Sequence, residues 1–412
     1  MKKILFIMLF VSFSFSLSGQ VYEVVERTAT FGLLPILSDT NERTDGYFLP
    51  SILAANKKGY AYIDYNFTAG GLIVPVFDRK AAFAVWYENG ANRTTMYGVR
   101  EIMDFLQPGG PAMPDINHLL GFSLAGNISD NFSIGLTFRY LLGRYYEKDS
   151  VEDVVNSHKI NVDRIEATPS LTYRTDRFYF DFGLSINYQW ITEKALGDYQ
   201  YDRLTTYDGN VDLSFFGRTG IKTSEIQDII FSGGFGVIPI SEKELTPDDT
   251  SARDIKFNRF FWNFKAGTLI KPYEWMRIHP AVILLGSHRV VGTEDLLDPV
   301  GEKATARDNT FSFLLTLGMD ILPVKWFSIK SGVLKRFDVV GFDFTTKESG
   351  VKDKDYFIGE DLGAYLGCSF LWKGFTFTSM LNLDFFTNGP YMLSGNRTAA
   401  NFAYIATVEY QW

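Results

Sequence analysis

The side chains with the clearest potential for chemistry are charged residues that alternate with apolar ones. In several segments every second residue is apolar, and single acidic or basic residues lie on the other side. If that shared side lines an internal space, the charges could conduct polar solutes, pair with one another or simply be hydrated by a wet interior. The nine positions are Arg139, Asp181, Asp212, Arg218, Lys222, Lys265, Asp320, Asp384 and Glu409. Both signs occur, so the set identifies no substrate.

Candidates for covalent or metal chemistry are few. Ser287 precedes His288, but neighbours on a strand face opposite sides, so a nucleophile and a base cannot meet there. The single cysteine, Cys368, can form no internal disulfide, and a cysteine-based zinc site is excluded for the same reason. The sequence therefore predicts no enzyme, no cofactor and no metal.

The overall composition argues against a nucleic-acid-binding protein and against a helical membrane protein. A formal net charge of -8 leaves no basic stripe for phosphates. After the N-terminus, no apolar run reaches the ~20 residues that a membrane helix needs. If the chain crosses a membrane, it must do so as a closed barrel, because each backbone polar group in lipid needs an internal partner.

The N-terminus predicts a secretory signal peptide over residues 1–19. Lys2 and Lys3 precede an apolar run over residues 4–15, and a small residue, Gly19, precedes the expected cleavage point. We therefore expect export from the cytoplasm.

The alternation is clearest over residues 178–190. Ordinary strands are about five or six residues long, whereas a tilted membrane strand needs about 9 to 11. The apolar side consists of Phe178, Phe180, Phe182, Leu184, Ile186, Tyr188 and Trp190. In a soluble sandwich this side would face a core, and in a membrane barrel it faces lipid. The strand length, the aromatic residues at segment ends and the signal peptide favour the membrane barrel.

The predicted connections alternate between short and long. The short connection 127–131 precedes the long 145–159, the short 174–177 precedes the long 192–207, and this rhythm continues to the C-terminus. Outer-membrane barrels have short periplasmic turns and longer extracellular loops. The longest predicted external connection, 90–116, contains an apolar cluster of Ile102, Met103, Phe105 and Leu106. This cluster could constrict the mouth, contact a partner or lipid, or pack against neighbouring loops.

The chain ends on an alternating segment that stops at an aromatic residue. This segment resembles the terminal strand of bacterial outer-membrane proteins, which the barrel-assembly machinery reads. The resemblance implies an assembly signal formed by Phe402, Tyr404, Val408, Tyr410 and Trp412.

The strand count depends on the N-terminal region. With Trp412 at the periplasmic rim, counting back gives fourteen strands, the first at 81–89, and bacterial single-chain barrels have an even number. Residues 59–74 also alternate and suggest one more descending strand. Residues 28–37 would then have to rise, which gives sixteen. We expect an all-β transmembrane antiparallel barrel of fourteen strands, with sixteen as the alternative.

The overall length, the turn and strand from Pro75 to Asn89, and the terminal strand resemble the long-chain fatty-acid transporter family and related accessory barrels of type IX secretion. The resemblance implies fourteen strands and an N-terminal segment inside the lumen. The Asn-Pro-Ala-Gly signature common near the start of that family is absent, so no ligand residues are carried over. We expect residues 20–75 to form a lumenal plug or the first two strands, and residues 76–412 to form the barrel.

Two functions fit these features. The first is an outer-membrane channel or transporter for small solutes, hydrophobic ones included. The second is a non-conducting structural or accessory barrel that docks to other envelope proteins or to secretion and assembly machinery. The expected surroundings are outer-membrane lipid and lipopolysaccharide, the expected partners are the barrel-assembly machinery and an envelope protein, and no nucleic acid is expected. Whether the lumen is open or plugged stays undecided by the sequence.

Overall fold

The computed structural model is a closed barrel of sixteen antiparallel strands. Strands that follow one another in the chain are hydrogen bonded, and the first strand pairs with the last to close the ring. The structure describes residues 46, 49–55, 59–64, 69–78, 80–89, 116–151, 154–196, 203–245, 252–295, 304–346, 352–382 and 405–412. Within these residues, no helix has the length and apolar character needed to cross a membrane.

The strands differ widely in length. The first four are β1 (Tyr60–Asp64), β2 (Ala69–Val76), β3 (Ala81–Asn89) and β4 (Ile116–Ser129). Ten long strands of 19 to 22 residues follow: β5 (Phe132–Val151), β6 (Val154–Arg174), β7 (Phe178–Leu196), β8 (Arg203–Lys222), β9 (Gln227–Leu245), β10 (Ala252–Tyr273), β11 (Met276–Asp295), β12 (Ala304–Val324), β13 (Phe327–Thr346) and β14 (Lys352–Trp372). The last two are β15 (Phe375–Asn382) and β16 (Ile405–Gln411). A short helix, α1 (Ser51–Ala55), precedes β1.

The preferred count of fourteen strands is wrong, and the alternative of sixteen is correct. Residues 59–74, expected as one descending strand, contain β1 and most of β2, which pair with each other from Tyr60 opposite Ile73. β1 has only five residues, fewer than a membrane strand usually has, so alternation alone does not separate it from β2. Residues 28–37, expected to rise as the first strand of sixteen, lie outside the described residues.

Several expected external loops are instead extensions of paired strands. The long connection predicted at 145–159 is almost entirely strand, because β5 and β6 stay paired up to Val151 opposite Val154. β7 and β8 likewise pair through Lys194 opposite Leu204. A tilted strand needs about 9 to 11 residues to cross the membrane, so strands of about 20 residues must continue well beyond the apolar band.

The two faces of the wall have opposite character. Outward positions carry exposed apolar side chains, such as Phe138 (51% exposed) and Leu315 (44% exposed). Inward positions include buried polar ones, such as Asp181 and Asn187, both at 0%. This is the arrangement expected of a barrel that faces lipid outside and a polar lumen inside.

Candidate functional site

The helix α1 lies inside the barrel, against the inner faces of β4, β5 and β6. The apolar side chains of α1 and of Leu49, which precedes it, are deeply buried, with Ile52 and Leu49 at 0% exposure and Leu53 at 2%. Two backbone hydrogen bonds shape its first turn, from Ile52 N to Leu49 O and from Leu53 N to Pro50 O, each 3.0 Å long. A five-residue helix is unstable alone in water, so its contacts with the wall must stabilise it.

Hydrogen bonds fix α1 to two strands, β6 and β4. The backbone N–H of Ser51 donates to Ser170 Oγ at 2.8 Å, and Ser51 Oγ and Thr172 Oγ1 lie 2.8 Å apart. From β4, Asn127 Nδ2 donates to the Ala54 carbonyl at 3.1 Å. All the groups involved are buried or half-buried, so each bond also avoids the cost of an unpaired polar atom.

A glycine on β5 makes room for the helix. A Cβ atom at Gly135 would lie 2.5 Å from the carbonyl carbon of Pro50 and 2.9 Å from Ser51 Cα, distances that real Cβ atoms do not tolerate. Because the obstruction is backbone on one side and a strand on the other, neither could shift without breaking hydrogen bonds. Gly135 is therefore the position at which the wall is shaped to receive α1.

The helix is linked to a buried ion pair. Thr172, which contacts Ser51, donates to Asp181 Oδ1 at 2.9 Å, and Arg218 Nη2 lies 2.8 Å from Asp181 Oδ2. Arg218 also lies over the Tyr179 ring, 5.3 Å from its centroid. One continuous network thus joins α1 to β6, β7 and β8.

On the same wall, but further from the periplasmic turns, Arg139 forms a second buried ion pair with Glu166. Glu166 also accepts hydrogen bonds from Thr168 at 3.0 Å and Ser185 at 2.9 Å, and Arg164 Nη2 lies 3.7 Å away. Glu166 was missed by the sequence analysis. The signal was present, because every second residue from Arg164 to Thr172 is polar while the residues between them include Ile165 and Leu171.

The structure places most of the predicted lumenal charges on the inner wall. Asp181, Asp212, Lys265, Arg139, Arg218 and Asp320 are all buried, at 0 to 8% exposure. It brings Asp181 and Arg218 together, whereas Arg139 pairs with Glu166, outside the predicted set. Lys222 is exposed at the periplasmic end of β8, Glu409 is partly buried on β16, and Asp384 lies outside the described residues.

The inner wall of β9 to β12 is more apolar. Ile283 on β11 lies directly opposite Leu314 on β12, and both are fully buried. Leu285, two residues further along β11, is 3% exposed, and Phe261 on β10 is 2% exposed. A described part of the lumen surface is therefore built from large apolar side chains, which the alternation of the sequence did not predict.

The end of the chain closes the ring. β16 pairs with β15 and with β1, and Val408 and Tyr410 face outward, where Tyr410 packs on Phe375 at 4.5 Å between ring centroids. Trp412 exchanges two backbone hydrogen bonds of 3.2 Å with Gly59. A Cβ atom at Gly59 would lie 2.7 Å from Trp412 Cζ2, so the glycine accommodates the indole. Two further residues of the expected assembly signal, Phe402 and Tyr404, lie outside the described residues.

The described residues offer little catalytic chemistry. Ser287 is buried on the inner face, while His288 is exposed on the outer face, where its Nδ1 lies 2.6 Å from Asn309 Oδ1. Within the described part of the chain, no group of three or more His, Cys, Asp or Glu side chains could hold a metal ion. The apolar cluster of Ile102, Met103, Phe105 and Leu106 lies outside the described residues.

Comparison with solved structures returns bacterial barrels. The chain is similar to the ferric yersiniabactin uptake receptor FyuA of Yersinia pestis, at 9% identity over 79% of this chain and 68% of the other, with a TM-score of 0.42. It is similar to the alcaligin outer membrane receptor FauA of Bordetella pertussis, at 8% identity over 86% of this chain and 75% of the other, with a TM-score of 0.36. It is also similar to the toluene transporter TodX of Pseudomonas putida, at 9% identity over 96% of each chain, with a TM-score of 0.40. No protein-family profile and no curated protein sequence matches the chain.

The protein is a β-barrel of the bacterial outer membrane. The closed ring leaves no sheet edge, so backbone polar groups of the wall are paired within the barrel, as lipid requires. The exposed apolar outer face and aromatic residues near the periplasmic turns, such as Trp326 and Trp372, are typical of this class.

Proposed function

We propose that this barrel is an outer-membrane transporter for small solutes with an apolar part, and that α1 helps to close it in the state described here. The observation that carries the proposal is the mixed lining of the lumen. Polar and charged side chains line β5 to β8, and large apolar side chains such as Ile283 and Leu314 line part of β9 to β12.

The apolar lining favours such solutes over sugars or ions. The interior of a water-filled porin is polar. Sites for small molecules, by contrast, are predominantly apolar with a few placed polar groups. Ile283 has Lys265 as its neighbour on β10 and Leu314 as its neighbour on β12, so apolar and charged groups adjoin at this point of the wall.

The packing of the inner wall supports a closed state. Barrels of 16 to 18 strands are wide enough to leave an aqueous channel. Here the side chains of Asn187 and Lys265 are at most 1% exposed although both lie on the inner face, and α1 packs against the same wall. Transport would therefore require α1, or other groups that cover the wall, to move.

The experiment compares two glycine variants of the full chain in liposomes and planar bilayers. Gly135→Val places a side chain where α1 lies, so we expect it to displace α1 and raise both ion conductance and solute entry. Gly126→Val is the matched control, because Gly126 on β4 faces outward with nothing within 4 Å of its Cβ position. Equal, low conductance in both variants would contradict the role of α1 in closing the barrel.

Solute selectivity is tested separately in liposomes that contain the Gly135→Val protein. We expect a small aromatic hydrocarbon to enter faster than a sugar of similar size. Leu285→Ser, which makes one lining position polar, should reduce this preference, while Leu315→Ser on the lipid side should not. Faster entry of the sugar would contradict an apolar substrate.

A second candidate function is the non-conducting accessory barrel. The hydrogen bonds that hold α1 favour it, because a permanent plug would be fixed to the wall in the same way. If both Gly135→Val and removal of residues 20–58 leave the barrel silent to ions and solutes, this second function gains and the transporter proposal fails.

A further inference from the structure

An ion pair lies on the outer, lipid-side face of the barrel. Lys335 Nζ on β13 is 2.8 Å from Glu360 Oε2 on β14, with side-chain exposures of 31% and 69%. Phe337 lies directly opposite Glu360 and is itself 39% exposed. Lys335 and Phe337 are two residues apart on one strand and so share a face. Both charges therefore point away from the lumen.

The pair lies within the apolar band and not at its rim. Lys335 is eight residues from Phe327 at the periplasmic end of β13, and Glu360 is ten residues from Phe370 on β14. On β7 the outward positions stay apolar over thirteen residues, from Phe178 to Trp190. Lys335 and Glu360 thus occupy levels at which β7 presents only apolar side chains.

Apolar outward positions continue beyond the pair. On β13 these are Phe337 and Val339, and only after them comes the next outward ion pair, Lys354 with Asp343 at 3.3 Å. A second outward ion pair elsewhere, Arg144 with Asp163 at 2.9 Å, has a different setting. There the next outward positions of β6 are Asn161 and Lys159, which are polar, as expected at a membrane surface.

The surface on the periplasmic side of the pair is lined by small side chains. Ser331 on β13 and Ala364 on β14 are recessed, at 4% and 5% exposure, and Cys368 on β14 is partly exposed, whereas β7 carries Phe180 and Phe182 at comparable levels. Small residues allow two membrane-embedded surfaces to approach closely.

We propose that this outer face of β13 and β14, defined by Lys335, Glu360 and Phe337, binds a second copy of the same barrel. Charges are costly on a surface that meets lipid, and they are rare there unless they meet a polar partner. A neighbouring Lys–Glu pair is complementary to itself under two-fold rotation, because each Lys335 then faces the Glu360 of the other copy. Within one barrel the two charges already pair with each other, and a second copy gives each of them a further opposite charge and excludes lipid from both.

The test uses two differently tagged copies expressed together and co-purified from membranes in mild detergent. Wild-type copies should co-purify, and Lys335→Glu or Glu360→Lys alone should reduce co-purification at least tenfold, because like charges then meet across the interface. Mixing one copy of each variant should restore it, since every contact between the two copies becomes Lys with Glu. Arg144→Glu, on the other outward pair, is the control and should leave it unchanged.

A cross-linking measurement keeps both charges intact, in case a charge variant assembles poorly. Cys368→Ser removes the single cysteine, and Phe337→Cys then places a thiol beside the pair. Oxidation in membranes should yield a disulfide-linked dimer, while Phe182→Cys in the same background should yield none. If wild-type copies do not co-purify and the Phe337→Cys protein does not cross-link, the proposal is overturned. Loss in the single variants without recovery in the mixed pair would overturn it too, and would point to a different envelope protein on this face.

Discussion

The two faces of β7 differ in polarity and exposure from one residue to the next. Ile186 is apolar and 38% exposed, whereas Asn187, the next residue, is polar and fully buried. Exposure here follows the direction of the side chain and not its polarity, because the solvent outside is lipid. Much of the inner face is buried, so charges such as Asp181 and Glu166 are held by partners and not by bulk water.

Breaking a buried pair on the inner face should have the largest effect. Arg218→Leu leaves Asp181 buried without its cation, which costs about 3–5 kcal/mol. The free energy of unfolding, measured by urea titration in lipid vesicles, should fall by this amount. Replacing both residues by Leu should cost less than the single change, and Arg336→Leu, in a pair that is about one-fifth exposed, should cost less as well. Equal losses at both pairs would mean that the inner face is hydrated.

A charge on the outer face should have the next largest effect. Ile186→Arg places a cation against lipid, at a cost of about 2–4 kcal/mol near the bilayer midplane. Heat-modifiable gel mobility of membrane fractions should show less folded barrel. Thr376→Arg is the matched change on the inner face, where the new cation lies opposite Glu409. If Thr376→Arg impairs assembly as much as Ile186→Arg, the assignment of the two faces is wrong.

Loss of one hydrogen bond between the inner wall and α1 should have the smallest effect. Ser170→Ala removes the acceptor for the Ser51 N–H and should weaken docking by about 1 kcal/mol. Hydrogen exchange of the α1 amides should then speed up roughly fivefold, since 1.4 kcal/mol corresponds to tenfold. Ser369→Ala breaks a similar bond to Thr378 far from α1 and should leave that exchange unchanged.

The sequence predicted the barrel and its outward face, because a period of two is a local property of each strand. The outward side of β7 can be read from Phe178 to Trp190 without knowledge of any other strand. The number of strands was harder, because β1 is short and its role is set by pairing with β16 at the other end of the chain. Local alternation contains no information about that pairing.

The candidate site was only partly predictable for a related reason. Arg139 and Asp181 could be assigned to the lumen by alternation, but their partners depend on strand register, which pairs Arg139 with Glu166 and Asp181 with Arg218. α1 was harder still. The motif Ser51–Ala55 is too short to signal a helix, and its position depends on a glycine more than 80 residues away.

The seam between β1 and β16 has a consequence for the order of assembly. Tyr60 and Gln411, whose side chains are hydrogen bonded, are 351 residues apart. Contacts between such distant residues form late in folding, because the chain between them must first be ordered. α1 precedes β1 by only a few residues, so the last strand to pair also encloses the helix. Once β1 and β16 have paired, α1 can leave only through an end of the barrel. The rate of its release should therefore depend on that exit path as well as on its affinity for the wall.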